Sequence, residues 1–104
     1  MQFTVYNNTG KSTVYPLLLD VTSDIIGQLN RRIVIPLLPV EKYPAASRPK
    51  RLIPVVRLTD DKEYVVMTHE MASIPARSLG IVFCDASFYR TEIKAAIDFL
   101  FDSI

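Results

Sequence analysis

Residues 85–104 carry the clearest helical period in the chain, with the sequence DASFYRTEIKAAIDFLFDSI. A helix turns by about 100° per residue, and at that spacing most apolar side chains fall on one stripe. The members of this predicted buried stripe are Tyr89, Ile93, Ala96, Ile97, Leu100 and Ile104. Phe101 lies at the edge of the stripe, and Asp98 and Asp102 lie beyond it on the outer face. The pattern predicts a C-terminal helix that packs on the rest of the chain and ends in an aromatic and acidic tip.

Before this helix, short apolar runs alternate with turn residues, which predicts strands. We expect strands at residues 3–6, 14–21, 33–35, 52–58, 63–68 and 81–84. Because proline cannot donate a backbone hydrogen bond, Pro36 and Pro39 indicate that the third strand is a sheet edge there or ends nearby. The expected fold class is mainly β, with an antiparallel sheet of five or more strands and a C-terminal α-helix.

Residues 22–30 are rich in turn formers, yet they include two adjacent large aliphatic residues, Ile25 and Ile26. Adjacent side chains of an extended segment point to opposite faces. One of the two is therefore expected to be exposed, unless a short turn covers both. Together with the tip of the helix, this pair exceeds what the core needs, and exposed apolar groups of this kind are typical of partner interfaces.

The chain has 104 residues, which predicts a single domain over residues 1–104. Its formal net charge is only +1, so no overall charge attracts it to nucleic acid. One cysteine argues against a secreted disulfide-stabilised domain, and the N-terminus does not resemble a signal peptide. Apolar runs are too short to span a membrane. We therefore expect a cytoplasmic protein that does not associate with membranes.

Residues with catalytic or metal-binding chemistry are sparse. His69 and Cys84 lie in different predicted elements, which favours structural roles over a metal site. The three glycines are isolated, which excludes a glycine-rich phosphate loop, and Ser73 lacks the sequence context of a catalytic nucleophile. The basic residues at 48–51 are expected in a solvated loop, with docking of an acidic partner segment as the alternative. These observations favour a binding protein without a cofactor over an enzyme.

Segments spread along the whole chain resemble the CcdB family, the toxins of ccd toxin–antitoxin modules. They are MQFTVY, DVTSDII, RRIVIPL, MTHEMASIP and IKAAIDFLF, while residues 7–14 and 41–52 match least. The resemblance implies an SH3-like barrel or twisted antiparallel sheet with a C-terminal helix, and a homodimer. It also implies binding to the A subunit of DNA gyrase and trapping of the DNA-cleavage complex. A CcdA-type antitoxin neutralises the toxin, and the pair represses its own operon, so operator DNA is contacted only indirectly.

The resemblance assigns the gyrase contacts to the two isoleucines and to the end of the helix. On this chain these residues are Ile25, Ile26, Asp98, Phe101, Asp102, Ser103 and Ile104. The tip departs from the best-known member, which ends in Phe-Trp-Gly-Ile, and Asp98 replaces an asparagine. An aspartate cannot stack as an indole does, although it can pair with an arginine. The departures suggest a chromosomal-type member of the family.

Two alternative functions remain open from the sequence. One is a non-toxic homologue that keeps the fold and binds an antitoxin. The other is a MazF-like endoribonuclease, since the same fold also serves that activity. Such an enzyme needs an acid–base constellation that the sequence does not supply in recognisable form.

Overall fold

The computed structural model describes residues 1–10, 14–24 and 30–102. In this part of the chain, seven strands precede one α-helix, and every strand pair is antiparallel. The elements are β1 Thr4–Asn8, β2 Leu17–Asp20, β3 Arg31–Pro39, β4 Val55–Arg57, β5 Glu63–Val66, β6 Ala72–Pro75, β7 Leu79–Asp85 and α1 Arg90–Asp102. The mainly β class with a C-terminal helix is confirmed.

The strands form one sheet in the order β4-β5-β3-β2-β1-β7, with β6 also paired to β3. Strand β3 is central. It pairs with β2 on one side, and on the other side it pairs first with β6 over residues 31–34 and then with β5 over residues 37–39. This change of partner along one strand explains how β6, which was not among the expected strands, fits into the sheet.

Pro36 lies inside β3, and the strand ends soon after it, at Pro39, in agreement with the prediction of a nearby strand end. It is paired with Leu18 of β2, and its carbonyl oxygen accepts a hydrogen bond of 3.1 Å from the Met67 N–H. The nitrogen and the carbonyl oxygen of one strand residue face the same neighbour. The nitrogen of Pro36 therefore faces the gap between β6, which pairs with residues 31–34, and β5, which pairs with residues 37–39. Neither ladder includes Pro36, so its missing N–H removes no hydrogen bond from them. Pro39 is the last residue of β3, as expected.

Helix α1 packs its predicted stripe on one face of the sheet. Ile93 is fully buried with residues of β1, β2 and β3, and Tyr89 and Ile97 pack against the same core cluster. The helix is shorter than residues 85–104, because a 3₁₀ turn, Ser87–Tyr89, precedes it. The Asp85 carboxylate accepts the Ser87 N–H at 3.2 Å, at the start of this turn. Of the predicted stripe, Ile104 lies outside the described residues.

A second, smaller cluster lies on the opposite face of β3 and β5. Leu38 and Val65 belong to it, whereas their chain neighbours Leu37 and Val66 belong to the main core. Because side chains alternate between the faces of a strand, β3 is buried on both faces in its second half.

Gly80 lies where the backbone of β7 comes close to residues 7–9. A Cβ atom there would lie 2.6 Å from the Asn7 carbonyl oxygen and 2.9 Å from Cγ2 of Thr9. Gly80→Ala is expected to lower the free energy of unfolding by about 1–3 kcal/mol, because backbone atoms must separate. Urea unfolding measures the loss. Gly10→Ala is the control, since among the described residues its Cβ would meet the Asn8 side chain alone, at 3.1 Å. If both variants lose the same free energy of unfolding, the close backbone approach at Gly80 is not the cause of the loss.

Candidate partner-binding site

The end of α1 presents an exposed aromatic ring between two carboxylates. Phe101 is 69% exposed, although the opposite face of the helix is buried in the core. Asp98 and Asp102 are also exposed. Three of the predicted contact residues thus share the last turns of one helix, and that helix is fixed by Ile93 and Ala96. Ser103 and Ile104 lie outside the described residues.

The charges at this tip are unfavourable for the isolated helix. Asp98 and Asp102 are one turn apart, so their carboxylates repel each other, and both lie near the negative end of the helix dipole. The last turn contains no basic residue. Within the described ranges, neither carboxylate forms an ion pair. The surface around Phe101 is therefore both apolar and acidic, which suits a partner with an apolar pocket and nearby cations.

The other outward phenylalanines of this region have partners within the chain. The guanidinium of Arg51 lies 4.7 Å from the centre of the Phe99 ring, at cation–π distance. Phe88 is 87% exposed, but its ring meets the edge of Tyr89 with centroids 5.1 Å apart. In the described part of the chain, Phe101 forms no contact with another ring or with a cation. This distinguishes Phe101 as the ring left for a partner.

Ile25 and Ile26 lie outside the described residues, but both ends of their segment are described. Asp24 accepts the Gln2 N–H at 3.0 Å, and the carbonyl oxygen of Asn30 accepts the Ala76 N–H at 2.8 Å. Val21 packs against the main core, as Ile97 of α1 does. The start of this segment and the last half of the helix therefore rest on the same core.

The sequence reasoning missed a buried polar group beside this segment. Asp20 is fully buried at the end of β2, and Nε of Arg32 lies 2.8 Å from its carboxylate. A signal was present, because Asp20 interrupts an otherwise apolar run and Arg32 follows within the next strand. The two strands pair antiparallel, with Asp20 opposite Val34. A pairing register was needed to connect the two charges.

Two further titratable side chains of the described residues, Cys84 and Tyr64, have pKa values that burial raises. Cys84 is a free cysteine, and burial raises the pKa of its thiol above the ordinary value. Burial and a hydrogen bond to Asp60 raise the pKa of Tyr64 to about 12. No group of three or more potential metal ligands occurs among the described residues. Helix α1 has 13 residues, and none of the described helices is long and apolar enough to cross a membrane.

Comparison with known protein families identifies the family to which the chain is similar. Residues 2–103 match the family model described as the CcdB protein. The match extends over almost the whole chain, and it covers the central sheet, the segment with Ile25 and Ile26, and the helix up to its tip. This is the family of toxin–antitoxin gyrase poisons that the sequence segments resemble. The chain belongs to the CcdB family.

Proposed function

We propose that this protein is the toxin of a type II toxin–antitoxin system, which binds the A subunit of DNA gyrase and traps the DNA-cleavage complex. One observation carries the proposal: in a chain of the CcdB family, Phe101 is exposed at the end of a helix whose opposite face is packed on the core, and it contacts no ring or cation among the described residues. Natural sequences rarely leave a large ring and two like charges together at a helix end without a use for them.

The proposed contact surface consists of Ile25, Ile26 and the tip residues Asp98, Phe101, Asp102, Ser103 and Ile104. Phe101 would enter an apolar pocket of gyrase, where a buried ring contributes much of the binding energy. The exposed carboxylates would pair with arginine or lysine side chains around that pocket. Asp102 thus replaces the stacking of an indole by a charged contact.

The mechanism requires a homodimer. A two-fold toxin presents two helix tips and two isoleucine pairs, which can fit a two-fold gyrase gate with the same contacts on both sides. Binding to one conformation of the gate shifts the population of gyrase toward that conformation. The toxin itself performs no chemistry in this scheme, so no cofactor is needed and the protein is not an enzyme.

Purified gyrase tests the proposal. Adding the protein at micromolar concentration is expected to inhibit supercoiling and to increase the amount of cleaved DNA recovered after denaturation. If folded protein produces neither effect, the proposal that it poisons gyrase is refuted. If the protein then binds a CcdA-type antitoxin, the non-toxic homologue is the correct reading, and cleavage of RNA by the same preparation would identify a MazF-like endoribonuclease.

The proposal includes control by an antitoxin of the CcdA type. The antitoxin neutralises the toxin, and the complex of the two represses the operon. With a formal net charge of +1, the toxin alone has little electrostatic attraction to DNA. Operator DNA is therefore expected to bind the complex and not the toxin alone, which a gel-shift assay with each component measures.

Reversing both tip charges separates stability from function. The double variant Asp98→Lys/Asp102→Lys is expected to raise the free energy of unfolding by about 0.5 kcal/mol, because the repulsion ends and the helix dipole is complemented. Its affinity for the gyrase A subunit is expected to fall about tenfold or more. The two carboxylates are proposed to attract cations of gyrase, and lysines at the same positions would repel them. Calorimetry and urea unfolding measure the two effects.

Glu92 provides the matched control for this charge reversal. It is an exposed carboxylate in the first turn of the same helix. Glu92→Lys is expected to lower stability slightly, because the charge near the positive end of the dipole is lost, and to leave gyrase binding unchanged. Equal affinity losses in this variant and in the tip variant would contradict a specific role for the tip charges.

A further inference from the structure

We infer that a buried polar network of Asp20, Thr22 and Arg32 positions the segment that carries Ile25 and Ile26 for its partner. This inference rests on the proposed function, because it assigns a role to residues behind the proposed contact surface. The three residues are buried, and they lie where the chain leaves β2 and where it returns into β3. They would act as positioning residues and would not touch gyrase.

The Asp20 carboxylate is the centre of the network. Its Oδ2 accepts a hydrogen bond of 2.8 Å from Nε of Arg32, and its Oδ1 accepts the Thr22 N–H at 2.9 Å. One buried carboxylate therefore connects the end of β2, the backbone two residues later and the side chain of the returning strand. A charge-assisted hydrogen bond in a low-dielectric interior is stronger and more directional than an exposed one.

Thr22 closes the network with its side chain. Its hydroxyl oxygen accepts the Ile33 N–H at 2.6 Å, and the Val21 N–H donates to the Ile33 carbonyl oxygen at 2.9 Å. Regular pairing between β2 and β3 ends at Asp20 opposite Val34. Beyond that point, a side chain replaces the missing backbone partner. The two ends of residues 22–30 are thus held at a fixed separation.

A buried ion pair is a costly way to stabilise a fold. Apolar side chains of similar volume often give equal or greater stability, because the desolvation of two charges offsets most of their attraction. Such a pair defines a geometry better than an apolar contact does, since each hydrogen bond fixes a distance and a direction. Fixing the ends of a binding segment before association reduces the entropy lost when a partner orders it. The network suits that role.

Two substitutions at Thr22 test the inference. Thr22→Val keeps the shape of the side chain but removes the acceptor of the Ile33 N–H, whereas Thr22→Ser keeps the hydroxyl. Thr22→Val is expected to weaken binding to the gyrase A subunit about tenfold, and Thr22→Ser to stay within about twofold of the unaltered protein. Thr68→Val is the control, because Thr68 is also buried but its hydroxyl donates to the Val66 carbonyl oxygen, away from the segment.

Amide hydrogen exchange gives a second readout that does not depend on gyrase. Exchange of the amides at residues 23–30 is expected to become about tenfold faster in Thr22→Val and to stay unchanged in Thr22→Ser and Thr68→Val. Unchanged exchange in Thr22→Val would overturn the positioning role. If the parent protein binds gyrase and Thr22→Val binds it with the same affinity, the positioning role is also overturned. If the parent protein does not bind gyrase, the proposed function fails, while the exchange result still decides whether the network holds the segment.

Discussion

Replacing Phe101 with alanine is expected to abolish gyrase poisoning while the protein stays folded. The ring is 69% exposed, so its removal takes little from the core, and the free energy of unfolding is expected to change by less than about 0.5 kcal/mol. If the ring fills a gyrase pocket, its loss costs about 2 kcal/mol or more, which is roughly a thirtyfold fall in affinity. Titration of the gyrase A subunit and the cleavage assay measure the effect.

Phe88 is the matched control for Phe101. It is an aromatic residue with an exposure of 87%, located before the first residue of the same helix. Phe88→Ala is expected to bind and poison gyrase as the parent protein does. Removal of residues 102–104 is expected to act as Phe101→Ala does, with the fold retained. Full poisoning by Phe101→Ala or by the truncated protein would contradict the assignment of the tip.

Arg32→Ala is expected to produce the largest loss of stability, about 3 kcal/mol, because the buried Asp20 carboxylate then keeps only the N-terminal ammonium of Met1, at 3.4 Å, as a cation. The Arg32 side chain is 9% exposed and the Asp20 side chain is fully buried, so both charges of this pair are largely removed from water. A loss of this size is a large part of the stability of a typical domain. Urea unfolding, followed by circular dichroism, measures the change in midpoint.

The neighbouring residue supplies the control. Arg31 is exposed, and its guanidinium donates to the hydroxyl and carbonyl oxygens of Ser73 at 2.9 and 2.8 Å. Arg31→Ala removes the same atoms at the next position of the same strand, and it is expected to cost about 1 kcal/mol or less. If the two variants lose similar free energies of unfolding, the buried ion pair does not stabilise the fold more than the exposed contacts of Arg31 do.

The fold class was predictable because the hydrophobic period changes once along the chain. Short apolar runs give way at residue 85 to a period near that of a helix, and the buried face of α1 contains Ile93 and Ala96 as the stripe predicts. The start of the helix was not predictable to the residue, because Ser87–Tyr89 forms a 3₁₀ turn with the same polar and apolar order. Helix ends depend on caps and packing as well as on period.

Pairing partners were beyond the reach of the sequence pattern. Strand β6 has the sequence ASIP, which lacks a clear alternation, and it exists because β3 offers it a free side over residues 31–34. The same change of partner is what admits Pro36 into a central strand. Both features are properties of the assembled sheet, so local propensity could not indicate them.

One part of the proposed site could be predicted from the sequence, and another part could not. Its exposed tip follows from the helical period together with the family resemblance, since Asp98, Phe101 and Asp102 fall outside the buried stripe. The network of Asp20, Thr22 and Arg32 depends on the register between β2 and β3, which no local pattern specifies. Exposed side chains are readable from periodicity, whereas buried polar networks such as this one become visible only in the folded sheet.

The tip also shows a compromise between stability and function. Two carboxylates one turn apart and an exposed ring lower the stability of the helix end, and the proposed gyrase contact gives a reason for keeping them. Strained or destabilised positions of this kind concentrate at functional sites. The gain in stability expected for the double charge reversal is the measurable form of this compromise.

Growth of cells that express the protein tests gyrase as the target most directly. Two strains are compared, one with wild-type gyrase and one with a gyrase A subunit resistant to CcdB-type poisons. Induction is expected to stop growth and to cause DNA breaks in the first strain, while the second grows normally. Equal arrest in both strains, or normal growth of both with folded protein at equal levels, would contradict gyrase poisoning as the function.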